Sequence, residues 1–169
     1  LVDSKLDKIS NQNNTSSIIL NKVNQERLFI NSSSFYNGSI VVNNHTGNGS
    51  ELLIQNCDFQ NYSNQIIQVP EGIKLKINAS DFRNINSSKN AISGDSINIS
   101  KSRFSNLILA EDGKLFNNTG PLNIDQSIFI NFDIVKNANG RLFHSYNGQN
   151  KILISNSVVF SDQYRWNEY

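Results

Sequence analysis

Eleven asparagines stand two residues ahead of a serine or threonine: Asn13, Asn14, Asn31, Asn37, Asn44, Asn48, Asn61, Asn78, Asn86, Asn98 and Asn117. Asn-X-Ser/Thr is the acceptor sequence for N-linked glycosylation. A content of 29 Asn, with 26 Ser plus Thr among 169 residues, predicts about 4.5 such triplets by chance. The excess points to a secreted, glycosylated chain. A repeat that sets Asn beside Ser, as at Asn31 and Asn78, also generates such triplets. Asn44 and Asn48 lie in the turn HTGNGS and Asn117 lies beside a turn, so they are the better acceptors, with Asn86 and Asn14 as further candidates.

Other reactive side chains are sparse. Asp58 and Asp81 recur at one position of a repeat, with Arg103 at that position in the next copy. Paired carboxylates can bind Ca²⁺ or act as acid and base. A surface charge ladder relieved by Arg103 is the simpler reading, and it stabilises by about 0–1 kcal/mol. His45 and His144 share no register, and a metal site needs more ligands at suitable spacing. Cys57 stands where other copies carry Ser, as a small buried residue rather than a nucleophile. No nucleophile elbow, phosphate loop or zinc spacing occurs. These residues predict no catalytic group, no cofactor and no metal.

A formal net charge of +1 gives no field to attract nucleic acid. Charged residues are 17% of the chain, so Asn, Ser, Thr and Gln must supply most of the polar surface. Asn and Ser favour turns over helices. No run approaches the roughly 18 apolar residues of a membrane span. The single cysteine forms no intrachain disulfide, and the start at Leu1 reads as a processed terminus or a cut from a longer chain.

The elements that carry these residues repeat. Six segments align: LFINSSSFYN at 28–37, LLIQNCDFQN at 52–61, LKINASDFRN at 75–84, INISKSRFSN at 97–106, LNIDQSIFIN at 122–131 and ILISNSVVFS at 152–161. Their anchors are Ile30, Ile54, Ile77, Ile99, Ile124 and Ile154, spaced 24, 23, 22, 25 and 30 apart. Three residues on comes a small side chain: Ser33, Cys57, Ser80, Ser102, Ser127 or Ser157. Five on comes Phe35, Phe59, Phe82, Phe104 or Phe129, with Val159 last. Seven on comes Asn37, Asn61, Asn84, Asn106 or Asn131, with Ser161 last. A second strand follows in each repeat, as at Ser39–Val42 or Lys114–Phe116, and then a turn.

Alternation along a strand turns Ile and Phe to one side. One repeat cannot bury that side alone, but a stack of repeats can. The expected fold is therefore all-β, a single-stranded right-handed parallel β-helix of about six coils. Ile and Phe columns form its core, and an internal Asn ladder leaves Asn37 and Asn61 unglycosylated. Residues 1–27 form a partial coil or cap, 28–161 the repeats and 162–169 an aromatic tail. Tyr164, Trp166 and Tyr169 in that tail either cap the last coil or form a contact with glycan or a neighbour.

The Ser-X-Phe-X-Asn turn after a short Ile strand resembles the repeat of the pectin-lyase-like superfamily of parallel β-helices. It is also similar to repeats of polymorphic outer-membrane proteins and of surface proteins in Asn-rich protists. The resemblance covers about residues 28–161 and implies the fold. It leaves function open, because that superfamily holds lyases, hydrolases, tailspikes, adhesins and passive stalks. The leading expectation is a non-enzymatic structural or adhesive protein, extracellular or on the cell surface. Its partners would be copies of itself, a continuation of its own chain, or glycans. The alternative is a carbohydrate-active enzyme or carbohydrate-binding module.

Overall fold

A computed structural model describes residues 4–7, 10–11, 18–20, 27–43, 49–63, 65–135, 139–145 and 151–161. The strands follow one another coil by coil. The first coil holds β1 (Ser4–Asp7), β2 (Ser10–Asn11) and β3 (Ile18–Leu20). The second holds β4 (Arg27–Asn31), β5 (Ser34–Tyr36) and β6 (Ile40–Val42), and the third β7 (Ser50–Gln55), β8 (Asp58–Tyr62) and β9 (Ile67–Gln68). Then come β10 (Ile73–Asn78), β11 (Asp81–Ser87) and β12 (Asn90–Gly94), followed by β13 (Ser96–Ser100), β14 (Arg103–Leu109) and β15 (Lys114–Asn118). The series closes with β16 (Leu122–Asp125), β17 (Ile128–Ile134) and β18 (Arg141–Ser145), then β19 (Ile152–Ser155) and β20 (Val158–Phe160).

Every third strand pairs in parallel. An Ile sheet runs β1-β4-β7-β10-β13-β16-β19, a Phe sheet runs β2-β5-β8-β11-β14-β17-β20, and a third sheet runs β3-β6-β9-β12-β15-β18. The fold is a parallel β-helix with three faces. The sequence showed two strands per repeat because it hid a corner. Ser32, Asn56, Ala79, Lys101, Gln126 and Asn156, each two residues past an anchor Ile, adopt left-handed φ between 47° and 53°. Simple alternation would set Ile and Phe, five residues apart, on opposite sides, so that expectation is corrected: the left-handed residue turns the corner and shifts the side-chain phase by one, and both face the core from different sheets. This conformation costs an L residue about 1–2 kcal/mol. The corner amides of Ser32, Asn56, Ala79, Lys101 and Gln126 partly offset that with a bond to the next coil, as Ala79 N–H does to Ser100 O at 3.0 Å.

Registers stack the predicted columns. Ile30, Ile54, Ile77, Ile99 and Ile124 pair in sequence and are buried. Phe35, Phe59, Phe82, Phe104 and Phe129 stack with centroids 4.7, 4.5, 4.6 and 4.8 Å apart. Interplanar angles of 3–9° keep the rings parallel at the strand spacing. Phe116 of the third sheet closes the core edge-on, 5.3 Å from Phe104 at 80°.

The serine column has a polar reason to exist. From Ser80 to Ser157 each hydroxyl donates to the carbonyl two residues back and accepts an amide from the preceding coil. Ser102 Oγ donates to Ser100 O at 2.8 Å and accepts from Ser80 N–H at 3.2 Å. Ser127 does the same toward Asp125 O and Ser102 N–H. The column is buried from Ser33 to Ser127, so a side chain without this donor–acceptor pair would orphan a buried amide. Cys57 keeps the inner turn with a thiol contact to Gln55 O at 3.2 Å.

Candidate functional site

The Ile, Phe and Ser columns are apolar or hydrogen-bonded, although buried Ser50 Oγ and Asn118 Oδ1 lack a hydrogen-bond partner among the described residues; the charged side chains lie on the outer faces. On the Phe sheet, β8 and β11 set Asp58 beside Asp81 in register, with Arg103 next in that column. The cation that closes the pair is nevertheless Arg83, which the sequence reading had passed over. Its Nη2 lies 2.6 Å from Asp58 Oδ2 and its Nε 3.4 Å from Asp81 Oδ2. Arg83 projects from the strand that carries Asp81, and its planar fork spans both coils. Gln60 Nε2 adds a bond to Asp58 Oδ2 at 2.5 Å. Both carboxylates thus serve a surface network. Among the described residues, no three His, Cys, Asp or Glu side chains gather to hold a metal.

The asparagine column is a ladder, but on the outside. Asn84 Nδ2 donates to Asn61 Oδ1 at 2.9 Å, Asn106 to Asn84 at 3.0 Å and Asn131 to Asn106 at 3.3 Å. Asn84, Asn106 and Asn131 are exposed, while Asn37 and Asn61 are half-buried. The expectation of an internal ladder is therefore corrected. All five residues adopt left-handed φ of 54–58°. That turns their side chains along the corner of the helix, where each amide meets only its neighbours. Asn tolerates this conformation better than most residues.

The Ile sheet carries a polar strip. Asn123 Nδ2 donates to Asn98 Oδ1 at 2.9 Å, and Ser100 Oγ donates to Asn78 Oδ1 at 2.9 Å. Asp125 Oδ1 accepts from Ser155 Oγ at 2.8 Å and from Asn156 Nδ2 at 2.9 Å. These two donors hold the Asp125 carboxyl below its ordinary pKa, so it stays an anion and an acceptor. A shallow depression of about 270 Å³ lies over this strip, lined by Asn98, Ser100, Asn123, Asp125, Leu153 and Ser155.

Asn86 is exposed on β11. Asn117 is half-buried on β15, and its Oδ1 lies 3.0 Å from His144 Nδ1. Burial, with Lys114 and Arg141 nearby, holds His144 below its ordinary pKa. Asn14, Asn44, Asn48, His45, Tyr164, Trp166 and Tyr169 lie outside the described residues.

The last rung departs from the others. Ile154 keeps its place in the Ile column but is 39% exposed, so its assignment to the core is corrected. β19 and β20 have neighbours on one side only, β16 and β17, which leaves their outer edges unpaired among the described residues. Leu153, Val158 and Phe160 are 58%, 52% and 58% exposed. The signal was present in the sequence. Four residues past each anchor Ile stand Ser34, Asp58, Asp81 and Arg103, then Ile128 and Val158. Six past stand Tyr36, Gln60, Arg83 and Ser105, then Ile130 and Phe160. The outer face of the Phe sheet turns from polar to apolar over the last two coils.

Among the described residues, no helix is long and apolar enough to cross a membrane. Comparison with protein-family models, with curated proteins and with solved structures finds no match for this chain.

Proposed function

We propose that this chain is a non-enzymatic structural or adhesive β-helix, extracellular or on a cell surface, that associates through its last rung. The observation that carries this reading is the exposed apolar group Leu153, Ile154, Val158, Val159 and Phe160 on strands whose outer edges are unpaired among the described residues. Free edges and contiguous apolar patches recruit partners. The resemblance of the repeat to pectin-lyase-like helices supports the same class, which includes stalks and adhesins. The triplet excess supports secretion. A copy of the chain or a further coil of the same kind fits this end, because either brings the same columns at the same spacing. Sedimentation of the chain beside a Val158→Asp, Phe160→Asp double variant tests this. Both positions face outward, so the variant should fold. For the unglycosylated chain the reading expects species larger than 19.0 kDa for the parent and 19.0 kDa for the variant. A 19.0 kDa species for both contradicts it.

A second reading, carbohydrate binding, is favoured by the depression in which Asn98, Asn123 and Asp125 stand beside apolar Leu153. Amides and a fixed carboxylate are suitable partners for sugar hydroxyls. Titration with neutral and acidic oligosaccharides, against Asn123→Ala, tests it. Binding lost in the variant supports this reading, and no binding rejects it.

A further inference from the structure

The eleven acceptor triplets do not present equivalent amides. The Asn31 side chain accepts from Asn56, Asn78 from Ser100, and Asn98 from Asn123. Asn117 is held by His144, and Asn61 accepts from Asn84 within the corner ladder. Asn86 differs. It faces outward and exposed on β11, and no side-chain hydrogen bond engages its amide among the described residues. Its triplet continues into a fixed turn, where Ser87 Oγ donates to Lys89 O at 2.8 Å.

A second, independent feature lies beside it. Asn86 pairs in register with Ile108 on β14, and both side chains project outward. Ile108 is 42% exposed on a strand paired on both sides, two strands from the open last rung. Adjacent strands place the two side chains about 5 Å apart. A bulky apolar side chain in that position is left with water on its outer side. A sugar ring carries one face of C–H groups, and a ring attached to the neighbouring amide would cover such a side chain.

We propose that Asn86 carries an N-linked glycan whose first sugar packs on Ile108. The inference rests on the secretory reading above. In the transfer, Asn86 Nδ2 attacks the anomeric carbon of a polyprenyl-diphosphate-linked oligosaccharide. The C–N bond forms, the anomeric C–O bond to the diphosphate breaks, and polyprenyl diphosphate leaves as the amide gives up one proton. The half-buried Asn37, Asn61 and Asn117 leave less room for a finished glycan, and the Oδ1 atoms of Asn61 and Asn117 are already engaged by Asn84 and His144.

The test uses the whole chain secreted from eukaryotic cells. Enzymatic deglycosylation in ¹⁸O water converts each occupied Asn to labelled Asp, read by peptide mass. Label at residue 86, lost in Asn86→Gln, is the expected result. Label at other triplets with residue 86 bare overturns this site and leaves the secretory reading intact. No label anywhere overturns both. The Ile108 contact has its own readout. Deglycosylation should lower the thermal midpoint of the parent and leave that of Ile108→Ser unchanged. An equal drop in both overturns the contact.

Discussion

Phe82 and Val159 occupy one column of the Phe sheet, yet the first is 0% exposed and the second 43%. The difference lies in their neighbours. Phe82 has a ring on each side, at 4.5 and 4.6 Å, whereas Val159 has Phe129 on one side and, among the described residues, an unpaired strand edge on the other. In a solenoid, burial belongs to the stack rather than to the residue. The same repeat that seals the middle coils therefore leaves the last rung exposed on its free side, and outward Val158 and Phe160 add to that apolar exposure.

The comparison can be broken first at its core. Phe82→Ala should lower stability by about 3–5 kcal/mol in urea unfolding, because a ring leaves a stack closed on both sides. Val159→Ala should cost about 1 kcal/mol, since only part of its surface leaves water. Equal losses would show that the last rung is covered as fully as the middle of the column.

The serine column gives a smaller contrast of the same kind. Ser102→Ala removes the acceptor for Ser80 N–H and the donor to Ser100 O, both buried, at a cost of about 1–3 kcal/mol. Ser157 makes the same two bonds, but it is half-buried at the last rung. Water can replace the hydroxyl there, and Ser157→Ala should unfold within about 0.5 kcal/mol of the parent.

The corner ladder separates backbone from amide. Asn106→Ala meets both the left-handed backbone cost of about 1–2 kcal/mol and the lost amides. Asn106→Gly keeps the φ of 56° and loses only the amides. Gly should therefore be the milder change in the same unfolding assay, and Gly equal to Ala would assign the whole effect to the ladder.

The smallest effect concerns pH. Burial raises the Tyr62 phenol above its ordinary pKa of 10.0, and its hydroxyl donates to Gly38 O. The stability this gives is complete below pH 10.0. It is lost as pH rises further, because the unfolded chain then ionises and the folded chain does not. Unfolding free energy should fall above that pH in the parent and fall less in Tyr62→Phe.

Much of this architecture was legible in the sequence. Five phenylalanines at one spacing could only be a column once the repeats stack, and the Ile and Ser registers follow from the same alignment. The corners were not legible. Ala79 and Lys101 carry no turn signature, and their left-handed φ appears only when coil-to-coil bonds hold them. That missing corner also hid the third strand and turned the asparagines inward on paper. Arg83 was overlooked because a column comparison looks across coils, whereas its side chain reaches both its own strand and the preceding one. The apolar outer face at Ile128, Ile130, Val158 and Phe160 was written in the alignment, but only knowledge of which positions point outward gives it meaning.

Hydrogen exchange measured against protein concentration tests most directly whether the last rung is where the molecule meets its partner. Amides of Ile152–Ser155 and Val158–Phe160 should gain protection as concentration rises, while those of β10, β11, β13 and β14 stay protected at every concentration. Protection at the last rung that does not change with concentration would contradict the account, because that end would then be covered without a second molecule.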